Sequence, residues 1–359
     1  MAANRCNHTK LRRRLLDWYR REQRELPWRI AIGQTGRPAP YHVLVSEAML
    51  QQTQVATVIP YFLRFIAQFP TVQTLAASPQ QQVLRLWQGL GYYARARNLH
   101  AAAKMIMDQF AGHVPKRTED LLLLPGVGRY TAGAIASIAF GKAEPVLDGN
   151  VGRVLTRLWA ISQPLQVPKT QRRLWALASQ LVPQHHAGDF NQALMELGAT
   201  VCTPTSPDCT RCPLISLCRA HSSNRIASIP RRLPRQSPRP DQHLVLAIKR
   251  YGKFLFQQRP NRGLWSAMWQ LPTAETLNGQ SPVQWSWQTL GLKVNQPQEL
   301  GSFTHRITHR TIQFVVHRAQ ARRGAITSGL WRCLDEVDDL PLAKPQQLAL
   351  ALVRQHEPK

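Results

Sequence analysis

The sequence is short of acidic residues: across 359 residues, 20 Asp and Glu stand against 46 Lys and Arg, a formal net charge of +26. It also has no run of the roughly 18 to 20 apolar residues that cross a membrane, and its N-terminus has no apolar signal core. These absences argue against membrane and secreted proteins, so we expect a soluble intracellular protein. The positive charge indicates a polyanionic partner, nucleic acid before membrane, although a solvated basic surface has the same composition.

The N-terminal stretch KLRRRLLDWYRRE has the arginines of an organelle presequence. Its acids Asp17 and Glu22 and its aromatic residues Trp18 and Tyr19 favour an amphipathic helix of the fold instead. We therefore expect the protein in the cytoplasm, on the nucleoid, if the source is a bacterium, and in the nucleus or mitochondrion if it is a eukaryote.

The chain exceeds the usual size of one domain, and residues 1–220 show helical periodicity with turn signals at short intervals. This pattern predicts an all-α region. In SPQQQVLRLWQGLG, for example, Ser78 is expected to cap a helix that has Pro79 at its first position and Gln81 completing a capping box.

The pattern changes after residue 220. Residues 221–240 contain Arg, Pro and Ser and no acid, a composition typical of a linker. Residues 241–359 show alternating apolar runs around a turn at 251–252 and end in a helix that begins near Pro345. We therefore predict a multidomain protein, an all-α region followed by an α+β domain.

Four of the six cysteines fall in one short stretch, VCTPTSPDCTRCPLISLC, with the spacing C-x6-C-x2-C-x5-C. Four thiolates in one loop can surround a single metal centre, and an intracellular compartment disfavours the alternative of two disulfides. The spacing leaves zinc and an iron–sulfur cluster equally open, because zinc ribbons generally have two C-x2-C knuckles and this loop has one. The expected ligands are Cys202, Cys209, Cys212 and Cys218.

A glycine-rich corner, LPGVG, lies within a helical segment at about residues 118–140. Pro125 ends the first helix, and the glycines allow a tight path on which backbone N–H groups point outward at the start of the next helix. Alone, the corner is better explained by an ordinary helix C-cap. Together with the net charge, it predicts a contact to a DNA phosphate by Gly126, Val127 and Gly128.

Two acidic residues are candidate catalytic groups. Glu47 lies in SEAMLQQTQVATVIPYF, a largely apolar helix, where a carboxyl has the raised pKa that a general acid needs. Asp148, in VLDGNV, also has the position of a helix N-cap. Taken singly, a half-buried surface carboxylate and a helix cap explain them better, and only the pair favours catalysis.

These stretches carry a family resemblance. LPGVGRYTAG followed by VLDGNV resembles the hairpin and Gly/Pro–Asp element of the helix-hairpin-helix DNA glycosylase superfamily, and the cysteine loop is similar to the [4Fe-4S] loop of its endonuclease III branch. SEAMLQQTQVATVIPYF and WQGLGYYARARNL are most similar to the adenine-specific branch. The resemblance implies a monomer with a [4Fe-4S] cluster on the four cysteines that flips adenine, mispaired with 8-oxoguanine or guanine, out of duplex DNA and removes it.

The resemblance also implies roles for single residues. Glu47 matches the acid that protonates adenine, and Asp148 matches the carboxylate that stabilises positive charge on the sugar. Tyr130 stands where strand-cleaving members have a lysine that forms a Schiff base, which predicts base removal without strand cleavage. Asn150 matches a polar neighbour of the catalytic Asp. The matched DNA and pocket contacts are Gln52, Thr53, Leu90, Tyr92 and Gln192.

Residues 241–359 resemble the Nudix-like domain with which this branch recognises 8-oxoguanine. A catalytic Nudix enzyme needs a glutamate-rich metal-binding helix, and residues 271–294 contain only Glu275, so we expect binding without pyrophosphate cleavage. The family's lesion-contacting loop usually has the sequence Phe-Ser-His. This chain keeps the hydroxyl and the imidazole and loses the aromatic ring, with Ile307, Thr308 and His309.

Two other functions stay open at this point. An endonuclease III-like pyrimidine glycosylase with lyase activity is opposed by Tyr130 and by the second domain. A non-catalytic iron–sulfur DNA-binding module is opposed by the presence of both Glu47 and Asp148.

Overall fold

The structure, a computed structural model, describes residues 2–31, 34–231, 233, 239–277, 279–307, 310–326 and 328–357. It divides into two compact units, Met1–Ala77 with Asn98–Pro234 and Ser78–Arg97 with Arg235–Lys359. The predicted fold class is confirmed, because the first unit is helical and the second contains a sheet with helices. No helix of the described chain is both long and apolar enough to cross a membrane.

The helices follow one another through most of the first unit and recur in the second. In chain order they are α1 (Ala2–Glu22), α2 (Pro40–Leu50), α3 (Val55–Gln68), α4 (Val72–Ala77), α5 (Gln80–Trp87), α6 (Ala94–Gln109), α7 (Thr118–Leu121), α8 (Arg129–Ile138), α9 (Gly149–Leu158), α10 (Pro168–Leu181), α11 (Ala187–Thr200), α12 (Arg219–Ser222), α13 (Pro282–Leu290) and α14 (Lys344–Gln355).

The hairpin between α7 and α8 is shaped by its glycines. Gly126 has a φ of +79°, and a Cβ there would lie 2.7 Å from the Cβ of Asn98, so a side chain does not fit. In α8, a Cβ at Gly133 would clash with the carbonyl oxygen of Pro145. Because α8 is built of small, buried residues, the segment leading to Asp148 passes directly against it.

The predicted cap of α5 is wrong. The helix begins at Gln80, and Pro79, in an extended conformation, takes the N-cap position without a side-chain cap bond. This helix packs with the second unit, where the Gln81 side chain donates to the carbonyl of Ala267 at 3.2 Å. Residues 78–97 thus lie in the helical region of the sequence and in the second unit of the fold.

The second unit is built on a mixed sheet of eight strands, in which β1 pairs in parallel with β7 and the remaining named pairs are antiparallel. Helix α13 covers one face and α14 the other, each over its own apolar cluster. The strands are β1 (Arg239–Arg250), β2 (Lys253–Gln258), β3 (Trp269–Gln270), β4 (Thr273–Ala274), β5 (Leu292–Val294), β6 (Gln298–Ile307), β7 (Arg310–Gly324) and β8 (Leu330–Arg332).

The first part of the predicted linker is folded. Residues 219–222 form α12, and Ile229 is buried with its carbonyl accepting a 2.9 Å hydrogen bond from Nε of Arg157. Composition alone underestimates this order, because the segment is held by an arginine from elsewhere in the chain.

Candidate active site

Glu47 lies on α2, which begins with Pro40 at its first position and is buried on nearly all sides. The side chain is 5% exposed, and its Oε2 has no hydrogen-bond partner within the described part of the chain. Burial raises the pKa of Glu47 to about 7, the Tyr130 hydroxyl opposes this by hydrogen bonding, and the nearby Asp148 adds to it. Glu47 is therefore poised to exist as a neutral acid near pH 7.

Asp148 caps α9, as the sequence predicts. Its Oδ1 accepts the backbone N–H of Val151 at 2.7 Å, and its Oδ2 accepts the side-chain amide of Asn150 at 3.0 Å. Burial raises the pKa of Asp148, while these hydrogen bonds and the charge of Arg153 oppose the rise. Asp148 accepts two hydrogen bonds and Glu47 Oε2 accepts none, which favours the charged form of Asp148 over the charged form of Glu47.

Both acids line one cavity of about 1030 Å³ in the first unit. The cavity also brings together most of the predicted site residues: Tyr130, Asn150, Gln52, Thr53 and Gln192. Gln52 has a φ of +58°, an uncommon conformation for a residue other than glycine, so this loop is held in place by its surroundings.

Tyr130 is the first-turn residue of α8 that reaches this cavity. Its hydroxyl lies 3.2 Å from Sδ of Met195 and is hydrogen-bonded to the Glu47 carboxyl. Burial raises the pKa of Tyr130 well above its ordinary value, so the phenol stays neutral. A neutral phenol can donate a hydrogen bond to a carboxylate but cannot form an imine.

Sequence reasoning missed a charged cluster in the same cavity. Glu196 on α11 is 1% exposed and binds two guanidinium groups, at 2.6 Å to Nε of Arg24 and at 2.9 Å to Nη2 of Arg29. Burial raises the pKa of Glu196, but the hydrogen bonds and charges of both arginines prevail and lower it. The signal that singled out Glu47, a lone acid in an apolar helix, is equally present in ALMELG and would have found Glu196.

Other predicted contacts lie elsewhere. Leu90 is buried, whereas Tyr92 is 47% exposed with a φ of +48°, and both follow α5 in the second unit. Val127 is buried, and Gly128 is the N-cap of α8 without a side-chain cap, which leaves backbone N–H groups at the helix start. Thr308 and His309 lie outside the described residues; β6 ends beside them at Ile307.

Helix α9 connects Asp148 to the cysteine loop. Arg153 donates to the side-chain oxygen of Asn150 at 2.8 Å and to the carbonyl of Cys202 at 2.7 Å. One turn later, Arg157, 2% exposed, donates to the thiol sulfur of Cys202 at 3.2 Å and to the carbonyl of Thr203 at 2.8 Å. The carboxylate and the loop are thus held by one helix.

The four predicted cysteine ligands surround a small cavity within residues 201–226. In the described part of the chain, no three His, Cys, Asp or Glu side chains converge closely enough to hold a single metal ion. Burial raises the pKa of Cys212 to about 12, and the other three thiols add to the rise. The four cysteines nevertheless line one small cavity, and the buried Arg157 donates to one of them.

Comparisons with known proteins agree with this geometry. Residues 45–180 match the HhH-GPD superfamily of base excision DNA repair proteins, and residues 243–352 match the NUDIX domain. The chain is 40% identical to the adenine DNA glycosylase of Rattus norvegicus over 86% of this chain and 70% of the relative. It is 33% identical to that of Buchnera aphidicola subsp. Schizaphis graminum over 95% and 97%.

A thermostable thymine-DNA glycosylase has a similar structure, with a TM-score of 0.55 and 28% identity over 62% of this chain and 99% of that one. A non-covalent endonuclease III–DNA complex, with a TM-score of 0.50 and 24% identity over 60% and 97%, shares the fold.

Proposed function

The chain belongs to the adenine DNA glycosylases, which are enzymes of base excision repair, and we propose that it removes adenine from A:8-oxoguanine and A:guanine mispairs. In this proposal the enzyme hydrolyses the bond between adenine and deoxyribose and does not cut the DNA strand. The observation that carries the proposal is that one cavity contains both Glu47, buried with an unbonded oxygen, and Asp148, a helix cap whose two oxygens each accept a hydrogen bond.

The two carboxyl groups support a two-role mechanism. Neutral Glu47 donates its proton to a ring nitrogen of the flipped adenine, so that the electron pair of the breaking N-glycosidic bond leaves with a neutral base. Ionised Asp148 stabilises the positive charge that develops on the sugar. Water then adds to the sugar carbon and its proton returns to Glu47, which leaves free adenine, an abasic site and the starting form of the enzyme.

Tyr130 supports base removal without strand cleavage. A lyase step needs an amine that forms an imine with the sugar, and no lysine lines the cavity among the described residues. Its arginines, Arg24, Arg29 and Arg153, are held by hydrogen bonds to protein oxygens and carry no nucleophilic amine.

We propose that Cys202, Cys209, Cys212 and Cys218 hold a [4Fe-4S] cluster. Such a group would supply structural support for the loop, since the cavity that contains Glu47 and Asp148 does not include the cysteines. Arg157 would offset negative charge on the thiolate of Cys202.

We propose that the Nudix-like unit recognises 8-oxoguanine through Thr308 and His309, which lie in the sequence between β6 and β7. Support comes from the match of residues 243–352 to the NUDIX domain and from the single acid, Glu275, in residues 271–294. That acid is bound to Arg259 at 2.6 Å, which withdraws it from metal binding. We expect Thr308→Ala with His309→Ala to lower the preference for 8-oxoguanine over guanine and to leave adenine release from A:G duplexes intact.

The overall proposal is tested with three duplexes that contain A:8-oxoguanine, A:G or thymine glycol, each assayed for free base and for alkali-dependent strand scission. We expect adenine release from the first two, scission only after alkali, and no covalent adduct with borohydride. Scission without alkali, a trapped adduct, or a preference for the thymine glycol duplex would favour the pyrimidine glycosylase with lyase activity.

A further inference from the structure

One long stretch of the Nudix-like unit is strongly basic. Residues 242–334 contain twelve Lys and Arg and only two acids, Glu275 and Glu299. Glu275 is bound to Arg259. Three of the other cations pair with acids outside this stretch, Lys249 and Arg318 with Glu357 and Arg310 with Asp241. Several of the remaining cations lie at one end of the sheet.

The turn between β1 and β2 forms part of this end. Arg250 and Lys253 are cross-strand partners, so their side chains lie on the same face. Tyr251, in the turn, is 87% exposed with a φ of +49°, and the guanidinium of Arg250 lies 5.4 Å from its ring centroid. The ring is thus held out into solvent with a cation against it.

A second exposed ring lies beside the ends of β5 and β7. Trp287, on α13, is 47% exposed, and Nζ of Lys293 lies 5.1 Å from its ring centroid. Lys293 pairs across the strands with Arg323. Both regions lie at the same end of the sheet, because Nη1 of Arg250 donates to the carbonyl of Gly324, next to Arg323, at 3.2 Å.

We propose that this basic aromatic surface, made of Arg250, Tyr251, Lys253, Trp287, Lys293 and Arg323, binds single-stranded nucleic acid. Within the described chain none of its four cations forms an ion pair with an acid, so all are available for phosphates. Each exposed ring offers an apolar face to an unpaired base, and base stacking on aromatic side chains contributes about 1–3 kcal/mol per base. In a duplex the bases are stacked on one another inside the helix, so they cannot stack on the exposed rings of Tyr251 and Trp287.

The surface is distinct from the start of β7, which follows Thr308 and His309. The parallel register places the start of β7 beside the start of β1, and the basic aromatic surface lies where β1 and β7 end. The 15 residues of β7 between the two ends span about 45 Å at the usual rise per residue. Nucleic acid held here is therefore a second contact of this unit, and the inference does not depend on adenine removal.

The test uses the full chain and three fluorescent probes: a short oligothymidylate, a blunt undamaged duplex and a polyglutamate peptide. Tyr251→Ala with Trp287→Ala keeps every charge, and we expect it to weaken oligothymidylate binding about tenfold or more while duplex binding is unchanged. Lys253→Glu with Arg323→Glu should weaken oligothymidylate binding and reduce its salt slope by about 1.4, from two phosphates at about 0.7 each.

Arg262→Glu is the matched control, because Arg262 is exposed and follows the end of β2 opposite to Lys253, and we expect it to leave oligothymidylate affinity nearly unchanged. Unfolding midpoints of all variants confirm that they are folded. The proposal is overturned if the aromatic variant binds oligothymidylate as the unaltered chain does, if it loses duplex binding equally, or if polyglutamate competes as well as the oligonucleotide.

Discussion

Glu47 and Glu196 are two buried glutamates that line the same cavity, and their electrostatic surroundings are opposite. Glu47 is 5% exposed with an unbonded oxygen, and its pKa rises to about 7. Glu196 is 1% exposed and bound to Arg24 and Arg29, and its pKa falls. Burial is common to both, so the difference in their protonation comes from their partners.

The comparison explains how one cavity can hold a neutral acid and fixed charges together. Glu196 neutralises the arginines that would otherwise lower the pKa of Glu47 further, since Arg29 acts on both acids. Asp148 lies between the extremes: burial raises its pKa, but hydrogen-bond donors hold its charge. We expect four substitutions to separate these settings.

Glu47→Gln should have the largest effect. Loss of the general acid is expected to slow adenine release by about 10²–10⁴-fold with duplex binding retained, measured by single-turnover assay and by titration of DNA.

The same variant should be more stable at neutral pH. Because its folded-state pKa is raised, Glu47 costs stability that grows as the pH rises from about 4.5 to about 7, by an upper limit of about 3 kcal/mol. Equal unfolding midpoints for variant and unaltered chain across that range would contradict the assignment of the raised pKa to Glu47.

Asp148→Asn should have the next largest effect on rate. Asparagine caps a helix nearly as well as aspartate, so the unfolding midpoint is expected to stay close to its original value. Loss of the charge facing the sugar should slow adenine release by about 10²–10³-fold. A variant that is poorly folded yet active would point to capping as the main role of Asp148.

Glu196→Gln is the matched counterpart of Glu47→Gln and should change stability in the opposite direction. It leaves Arg24 and Arg29 without their carboxylate, which should lower the free energy of unfolding by roughly 3 kcal/mol, the low end for buried pairs because Arg24 is partly exposed. Denaturant titration measures the change. A gain in stability would mean that the ion pairs of Glu196 with Arg24 and Arg29 do not offset the free-energy cost of burying its carboxylate.

Tyr130→Phe should have the smallest effect. Its hydroxyl lowers the pKa of Glu47, so removing it should move the alkaline limb of the pH–rate profile to higher pH. A single hydrogen bond contributes about 1 kcal/mol, so the change in rate at neutral pH should remain below about tenfold. A shift of the limb to lower pH would show that the hydroxyl acts on the neutral form of Glu47.

The parts of the fold and of the candidate site that depend on neighbouring residues could be predicted from the sequence. The hairpin at Gly126 follows from glycine and proline chemistry, and the cap at Asp148 from its position before a helix. The cap at Ser78 failed because Pro79 takes the N-cap position in the folded chain. The binding of Arg24 and Arg29 to Glu196 joins residues about 170 positions apart, which local pattern does not determine.

The central claim is that Glu47 acts as the neutral acid, and the pH dependence of single-turnover adenine release tests it most directly. We predict a rate that falls about tenfold per unit above about pH 7, as Glu47 loses its proton, and that falls again at acidic pH, where Asp148 becomes protonated. A rate of adenine release that stays level or rises over the roughly three pH units from about pH 6 to about pH 9 would contradict the account.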